Sequence, residues 1–172
     1  MSTLTVQTLQ APTSGANANK VIIPSTNSLY APNHIVQVLT QEITAYTATS
    51  STSAVATGFT LTITPKSTAS KIRCTVGLCG FFCNSVNTAG SIYLHKNGSF
   101  VKYLHSVAGY ANPAAYSTDP IMQVTDSPST TSAVTYAIFW KRNSGSANVN
   151  FNNYGTANNE TRSWYTVEEI AQ

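Results

Sequence analysis

The sequence predicts an all-β fold, an antiparallel jelly-roll β-sandwich of about eight strands with an extended N-terminal arm. From His34 onward, short segments of alternating apolar and polar residues follow one another, as half-buried strands require. No segment has the apolar period of an amphipathic helix. Charged residues make up only 9% of the chain, so the charged faces of typical surface helices are missing as well.

Residues 1–33 differ from the rest of the chain. Residues 11–19 have the composition of a loop, and the apolar residues on either side are too few to build a core. We therefore expect residues 1–33 to be an anchoring arm, docked on its own oligomer or on a larger assembly, and residues 34–172 to be the head domain. The arm residues that we expect to make the attachment are Leu4, Val6, Leu9, Val21, Ile22 and Ile23.

The head domain contains a series of strand signals separated by polar turns. The predicted strands cover 35–47, 54–64, 71–82, a hairpin over 91–105, 121–125, 132–140, 147–151 and 164–170. In the second of these, Phe59, Leu61 and Ile63 share one face and threonines the other, and Pro65 ends the strand. Antiparallel strands of this number and length favour the sandwich.

The turn of the hairpin assigns its register. Asn97-Gly98 favours a two-residue type I′ turn, which pairs Lys96 with Ser99 and Ile92 with Tyr103. Alternation then predicts a core-facing set, Ile92, Leu94, Val101 and Tyr103, and an outward set, Tyr93, His95, Phe100, Lys102 and Leu104. The outward set is too apolar for solvent, and we expect a neighbouring subunit to cover it.

Residues with catalytic chemistry do not converge in the predicted fold. His95 and His105 fall on opposite faces of the hairpin and cannot share a site within one subunit. Glu168 and Glu169 are adjacent in a strand and face opposite ways, so they cannot form the carboxylate pair of a glycosidase. We therefore expect no enzymatic activity, although a depolymerase with carboxylates paired across a subunit boundary stays open.

The three cysteines are predicted to be reduced and mostly buried. Within one strand Cys74 points away from the other two, and Cys79 and Cys83 are too far apart along it for a disulfide. The fourth ligand and the paired spacings of a zinc site are missing. We expect neither a metal nor a cofactor.

Charge and hydropathy argue against two classes of partner. The net charge is +3, and the cations are scattered from Lys20 to Arg162 rather than clustered, so we expect no nucleic-acid binding. The sequence has no signal peptide and no apolar segment of membrane length, so we expect synthesis in a host cytoplasm without membrane insertion.

Five stretches in order, 2–6, 62–72, 93–99, 136–140 and 164–170, resemble a known family. The chain is similar to the short tail-fibre-like and head-decoration proteins of tailed bacteriophages, which have a jelly-roll head like that of complement C1q or tumour necrosis factor. The resemblance spans nearly the whole chain and implies a homotrimer attached through an N-terminal arm. A long coiled-coil shaft is absent from this sequence, which favours a compact knob.

The expected function is that of a phage virion structural protein on the exterior of the particle, as a tail-fibre-like or adhesin module. The alternatives are a capsid decoration protein that stabilises the head and a C1q-like glycan-binding module. The expected partners are further copies of the chain, phage tail or capsid proteins and, for an adhesin, host surface glycans. The number of copies per particle distinguishes the two locations, because a handful of copies implies a tail and hundreds imply a capsid.

Large side chains supply the candidate contact residues. Those expected at the core or the oligomer interface are Phe82, Tyr93, Phe100, Tyr136, Trp140, Trp164 and Tyr165. Two loops are candidates for glycan contact, because tyrosine offers a stacking face and asparagine offers both a donor and an acceptor. Their candidate residues are Tyr110, Asn112, Tyr116, Asn153 and Tyr154.

Overall fold

A computed structural model describes residues 14–15, 31–83, 85, 87–108, 117–152 and 162–172. The chain divides into two units, Met1–Tyr30 and Ala31–Gln172, and every described strand belongs to the second. The predicted arm residues Leu4, Val6, Leu9, Val21, Ile22 and Ile23 lie outside the described residues.

The described residues form twelve antiparallel strands and no helix, which confirms the all-β prediction. The strands are β1 (Ile35–Ile43), β2 (Thr47–Thr49), β3 (Val55–Ile63), β4 (Lys71–Gly77), β5 (Phe81–Cys83), β6 (Ala89–Lys96), β7 (Ser99–Ala108), β8 (Ser117–Thr118), β9 (Ile121–Asp126), β10 (Val134–Ser144), β11 (Val149–Phe151) and β12 (Ser163–Ile170).

Two four-stranded sheets pack as a β-sandwich. The first sheet has the order β1-β12-β4-β9 and the second has the order β3-β10-β6-β7. Their inner sides share one hydrophobic core, in which the ring centroid of Phe59 in β3 lies 6.0 Å from that of Tyr165 in β12. Each fully buried large side chain contributes roughly 1.5–3 kcal/mol to this core. Alternation with a period of two residues, as predicted for 54–64, is what places Phe59 and Ile63 inside.

A third sheet of short strands continues the first. Its order is β2-β11-β5-β8. Each of these short strands is next in sequence to one long strand of the first sheet, β2 to β1, β11 to β12, β5 to β4 and β8 to β9, so the two sheets have the same order. The inner side of the third sheet belongs to the same core, where the ring of Phe151 lies 5.1 Å from that of Trp140, centroid to centroid. The segment predicted as one strand over 71–82 is therefore two strands, β4 and β5.

Side-chain hydrogen bonds link the strands at the junction between the first sheet and the third sheet. The Asn152 amide Nδ2 donates to the carbonyl oxygens of Ile43, at 2.7 Å, and Ala45, at 3.1 Å. The Ser163 hydroxyl donates to Asn152 Oδ1 at 2.6 Å and accepts from the backbone N–H of Cys79 at 2.9 Å. These bonds satisfy backbone groups that lose their ladder partners at the break.

The hairpin keeps the predicted turn and departs from the predicted register beyond it. Asn97 and Gly98 both have positive φ, as a type I′ turn requires, and the pairs Lys96–Ser99 and His95–Phe100 are confirmed. Two register shifts then leave Val101 and Leu104 without a direct partner in β6. These are β-bulges, each of which places two residues of one strand opposite one of the other.

The bulges exchange two side chains between the faces of β7. Tyr103, predicted to face the core with Ile92, pairs with Tyr93 instead and is 47% exposed. Leu104, predicted to face outward, packs against the core. Both predictions are wrong for the same reason, since alternation was counted without the extra residue Val101. The same shift pairs Lys102, also predicted to face outward, with the buried Leu94.

Candidate binding surface

Five aromatic side chains form a cluster on the outer face of the second sheet, which we call the aromatic patch: Tyr93 and His95 in β6, Phe100 and Tyr103 in β7, and Phe139 in β10. The register explains the cluster, because Phe139 pairs with Tyr93 and Tyr93 with Tyr103 in one row across three strands. Directly paired residues of antiparallel strands hold their side chains on the same face and in contact range.

The rings of the patch support one another. The imidazole of His95 stacks on the ring of Phe139, with centroids 4.0 Å apart and planes 9° apart. Tyr93 makes edge-to-face contacts with Phe100, at 6.0 Å between centroids, and with Tyr103, at 5.7 Å. His95 Nδ1 lies 3.2 Å from the carbonyl oxygen of Gly98, and a carbonyl only accepts, so Nδ1 carries a proton.

Two members of the patch are strongly exposed. Phe100 is 61% exposed and Tyr103 is 47% exposed, whereas Tyr93, His95 and Phe139 are half-buried. The half-buried rings therefore hold the exposed ones in place. Neighbouring aromatic rings at these distances and angles stabilise one another by about 0.5–1.5 kcal/mol beyond their burial.

The charge on and beside the patch is positive. Lys141 Nζ lies 5.8 Å from the ring centroid of Tyr93, within cation–π range, whereas Lys102, although exposed in β7, pairs with the buried Leu94 and so lies off the patch. Each described carboxylate instead bonds to a group away from the patch, and these carboxylates are Glu42, Asp119, Asp126, Glu168 and Glu169. Among the described residues, none with a carboxylate belongs to the aromatic patch.

The outer face of the first sheet has a different character. Thr40, Thr166 and Thr75 pair in one row across β1, β12 and β4. Next to this row, the half-buried indole of Trp164 lies on Gly77, so close that a Cβ at Gly77 would stand 2.6 Å from the ring. The aromatic ring on this side is thus held flat against backbone, rather than clustered with other rings.

A cleft opens between the edge strands of the two sheets. It has a volume of about 360 Å³, lies between β7 and β9, and is lined by residues 102–105 and 120–124. His105 lines it and has its ring centroid 6.1 Å from that of Phe81, and burial lowers the pKa of the His105 imidazole. His95 belongs to the outer patch, so the two histidines face different environments, as predicted.

The structure places the predicted contact residues in two groups. Phe82, Tyr136, Trp140 and Tyr165 are buried, whereas Tyr93, Phe100 and Trp164 lie on outer sheet faces. The predicted glycan-contact residues Tyr110, Asn112, Tyr116, Asn153 and Tyr154 lie outside the described residues. Sequence reasoning missed Tyr103 and Phe139 as members of the patch. The sequence did contain a signal for the outward orientation of Phe139, since this residue alternates with the buried Ile138 and Trp140.

The cysteines are free thiols in the structure. Cys74 and Cys83 are buried and Cys79 is half-buried. Burial raises the pKa of the Cys74 thiol to about 12, and burial followed by the charge of Asp119 raises that of Cys79. The thiols of Cys74 and Cys79 are therefore protonated near neutral pH and are weak nucleophiles.

The described part of the chain contains no group of three or more histidine, cysteine or carboxylate side chains that could hold a metal ion. None of its segments is a helix long and apolar enough to cross a membrane. No protein-family model matches the sequence, and no curated protein matches it at a significant level.

Proposed function

We propose that the protein is a structural component of a bacteriophage virion, displayed on the exterior of the particle as a homotrimer and attached through residues 1–33. Its role is that of a tail-fibre-like or adhesin module whose head makes contacts and carries no catalytic site. The observation that carries the proposal is the strand order of the sandwich, which supports a jelly-roll head.

The strand order can be followed along the chain. The eight strands of six or more residues alternate between the first and second sheets at every connection except the β6–β7 hairpin. Strands that alternate in this way between two antiparallel four-stranded sheets are typical of the jelly roll, which recurs in viral capsid and lectin domains. The order therefore agrees with the head that the family resemblance implies.

The distribution of exposed apolar residues supports a cyclic oligomer. Ile35 and Val38 are exposed in β1, and Ile121 is 72% exposed in β9, at the other edge of the first sheet. Two different apolar surfaces that meet between subunits make a heterologous contact, which closes into a ring when the rotation allows. The cleft between β7 and β9 lies beside the second of these surfaces. Such a contact leaves the outer face of the second sheet free, so in this proposal no neighbouring subunit covers that face, contrary to the expectation from the hairpin.

Deletion of residues 1–23 tests the attachment. We expect the truncated protein to keep its β-sheet circular dichroism and to sediment as a trimer, but to be missing from purified particles. A full-length Ile22→Asp variant provides a control for effects of truncation, and we expect it to join particles poorly. Incorporation of both variants at the level of the wild-type protein would refute anchoring by the arm, and a stable monomer at micromolar concentration would refute the trimer.

A further inference from the structure

We propose that the aromatic patch binds an acidic polysaccharide, a glycan whose sugar rings carry carboxylates. This inference rests on the proposed function, because it names the ligand class that a displayed adhesin head would contact. It also places the contact on the outer face of the second sheet, rather than in the two loops that the sequence suggested.

The exposed rings suit the flat apolar face of a pyranose. Phe100 and Tyr103 expose large fractions of their surface, and both contact the half-buried ring of Tyr93. Rings that are already held in place lose little conformational freedom when a ligand stacks on them. The patch is therefore prepared for stacking before the ligand arrives.

Polar groups beside the rings match the hydroxyl groups of a sugar. Because Nδ1 of His95 carries a proton towards Gly98, a neutral His95 has Nε2 available as an acceptor. Thr62 and Thr135, which pair in β3 and β10, have hydroxyl oxygens 2.8 Å apart on the exposed side of the same sheet. Both hydroxyl groups can donate and accept.

Charge decides between a neutral and an acidic glycan. Lys141 lies against Tyr93, and the described carboxylates are bonded elsewhere. A site with a cation and no opposing carboxylate favours a negatively charged partner. Single-stranded nucleic acid also stacks on rings, but it gains its affinity from many phosphate contacts, and among the described residues Lys141 is the one lysine in contact with the patch.

Isothermal titration calorimetry on the full-length protein tests the proposal. The probes are oligomers of galacturonate, alginate and hyaluronate, with maltohexaose as the neutral sugar and a short oligothymidylate as the nucleic acid. We expect at least one acidic oligomer to bind more tightly than maltohexaose, with affinity that falls as salt is added. Absence of binding to all three acidic oligomers, or tighter binding of oligothymidylate, would overturn the proposal.

Variants locate the site. Phe100→Ala and Tyr103→Ala should each weaken binding of the acidic oligomer by about tenfold, since each removes one stacking ring. The matched control is Tyr46→Ala, because Tyr46 is a tyrosine with a similar exposed fraction, 50%, in the link between β1 and β2. Lys141→Gln should weaken binding of the acidic oligomer and leave that of maltohexaose unchanged. Equal effects of Tyr46→Ala and Tyr103→Ala would refute the assignment.

Sedimentation and particle incorporation of the same variants separate the remaining explanations. If Tyr103→Ala converts the oligomer to monomers, a neighbouring subunit covers the patch and the glycan proposal is wrong. If wild-type protein joins particles as a trimer yet binds no acidic oligomer, the glycan proposal fails while the proposed function stands. If it binds the acidic oligomer but is absent from particles, the proposed function fails and the binding site stands.

Discussion

The hydroxyl of Tyr136 donates a 2.6 Å hydrogen bond to Asp126 Oδ2 and thereby joins the two sheets of the sandwich, since Tyr136 lies in β10 and Asp126 in β9. Lys96 Nζ bonds to the same carboxylate oxygen at 2.9 Å. Burial alone would raise the pKa of Asp126, but the hydrogen bonds from Tyr136 and Lys96 outweigh it and hold the pKa below its ordinary value. The ionised carboxylate is thus the form that the fold favours.

The depressed pKa of Asp126 predicts a loss of stability in acid. A carboxyl group whose pKa is lower in the folded state stabilises the fold above its unfolded-state pKa, near 4, and this contribution disappears as pH falls through the folded-state pKa. We expect the thermal midpoint of the wild-type protein to fall between about pH 6 and pH 2, and that of Asp126→Asn to fall less steeply. Parallel curves for the two proteins would contradict the role of Asp126.

Removal of the Tyr136 hydroxyl should weaken the link between the sheets. Tyr136→Phe keeps the buried ring and leaves Asp126 with Lys96 as its side-chain partner. We expect the free energy of unfolding in urea to fall by about 1.5–3 kcal/mol, the range for a hydrogen bond to a charged group. Thr62→Val, which removes an exposed hydroxyl from β3, is the control and should change it by less than about 0.5 kcal/mol.

Contact between Gly77 and Trp164 predicts a steric effect. Gly77→Ala would place a methyl group 2.6 Å from the indole, so the ring must move away from the sheet. We expect destabilisation by about 1–3 kcal/mol and a red shift of tryptophan emission. In a Trp164→Leu background the same substitution should cost less, and an undiminished cost would show that the indole is not the obstacle.

The burial of the three cysteines predicts the order in which their thiols react with an alkylating reagent. The native protein at about pH 8 should react with iodoacetamide at Cys79 before Cys74 or Cys83, because Cys79 is half-buried and the other two are buried. Mass spectrometry of tryptic peptides measures the extent at each site, with urea-unfolded protein as the control for intrinsic reactivity. Modification of native Cys74 as fast as Cys79 would contradict this order.

Strands were predictable from the sequence where they depend only on the pattern of neighbouring residues. Alternation is a property of neighbouring residues, so 54–64 and 164–170 correspond closely to β3 and β12. The break between β4 and β5 was not predicted, and at this break the backbone N–H of Cys79 donates to the hydroxyl of Ser163, which is remote in sequence. A strand signal carries no information about partners that distant in the chain.

The two adjacent glutamates show the same limit. Alternation predicted that Glu168 and Glu169 face opposite ways, and the structure confirms it, because Glu168 pairs with Arg73 whereas Glu169 is fully buried. The burial of Glu169 depends on hydrogen bonds from the Ser70 hydroxyl, at 2.6 Å, and the backbone N–H of Lys66, at 2.7 Å. These donors belong to the turn before β4, far from Glu169 in sequence.

The candidate site was predictable in part. Tyr93 and Phe100 were correctly placed outside, because the turn at Asn97-Gly98 controls the register near it. Tyr103 was misplaced, since the bulge at Val101, which packs against the core, shifts the register between the turn and Tyr103. Register is thus reliable close to a turn and less so with each residue away from it.

The two bulges of β7 also make the displayed surface adjustable by changes in length. Because Val101 and Leu104 have no direct partner in β6, removal of either residue would take away one bulge and leave the pairs beyond it, the Asn97-Gly98 turn and strand β6 unchanged. A single-codon deletion at either position would therefore straighten β7 and change its local twist, while Phe100 and Tyr103 keep their partners and stay on the outer face. Changes in length, as well as substitutions, would then alter the spacing and tilt of the two exposed rings on this face.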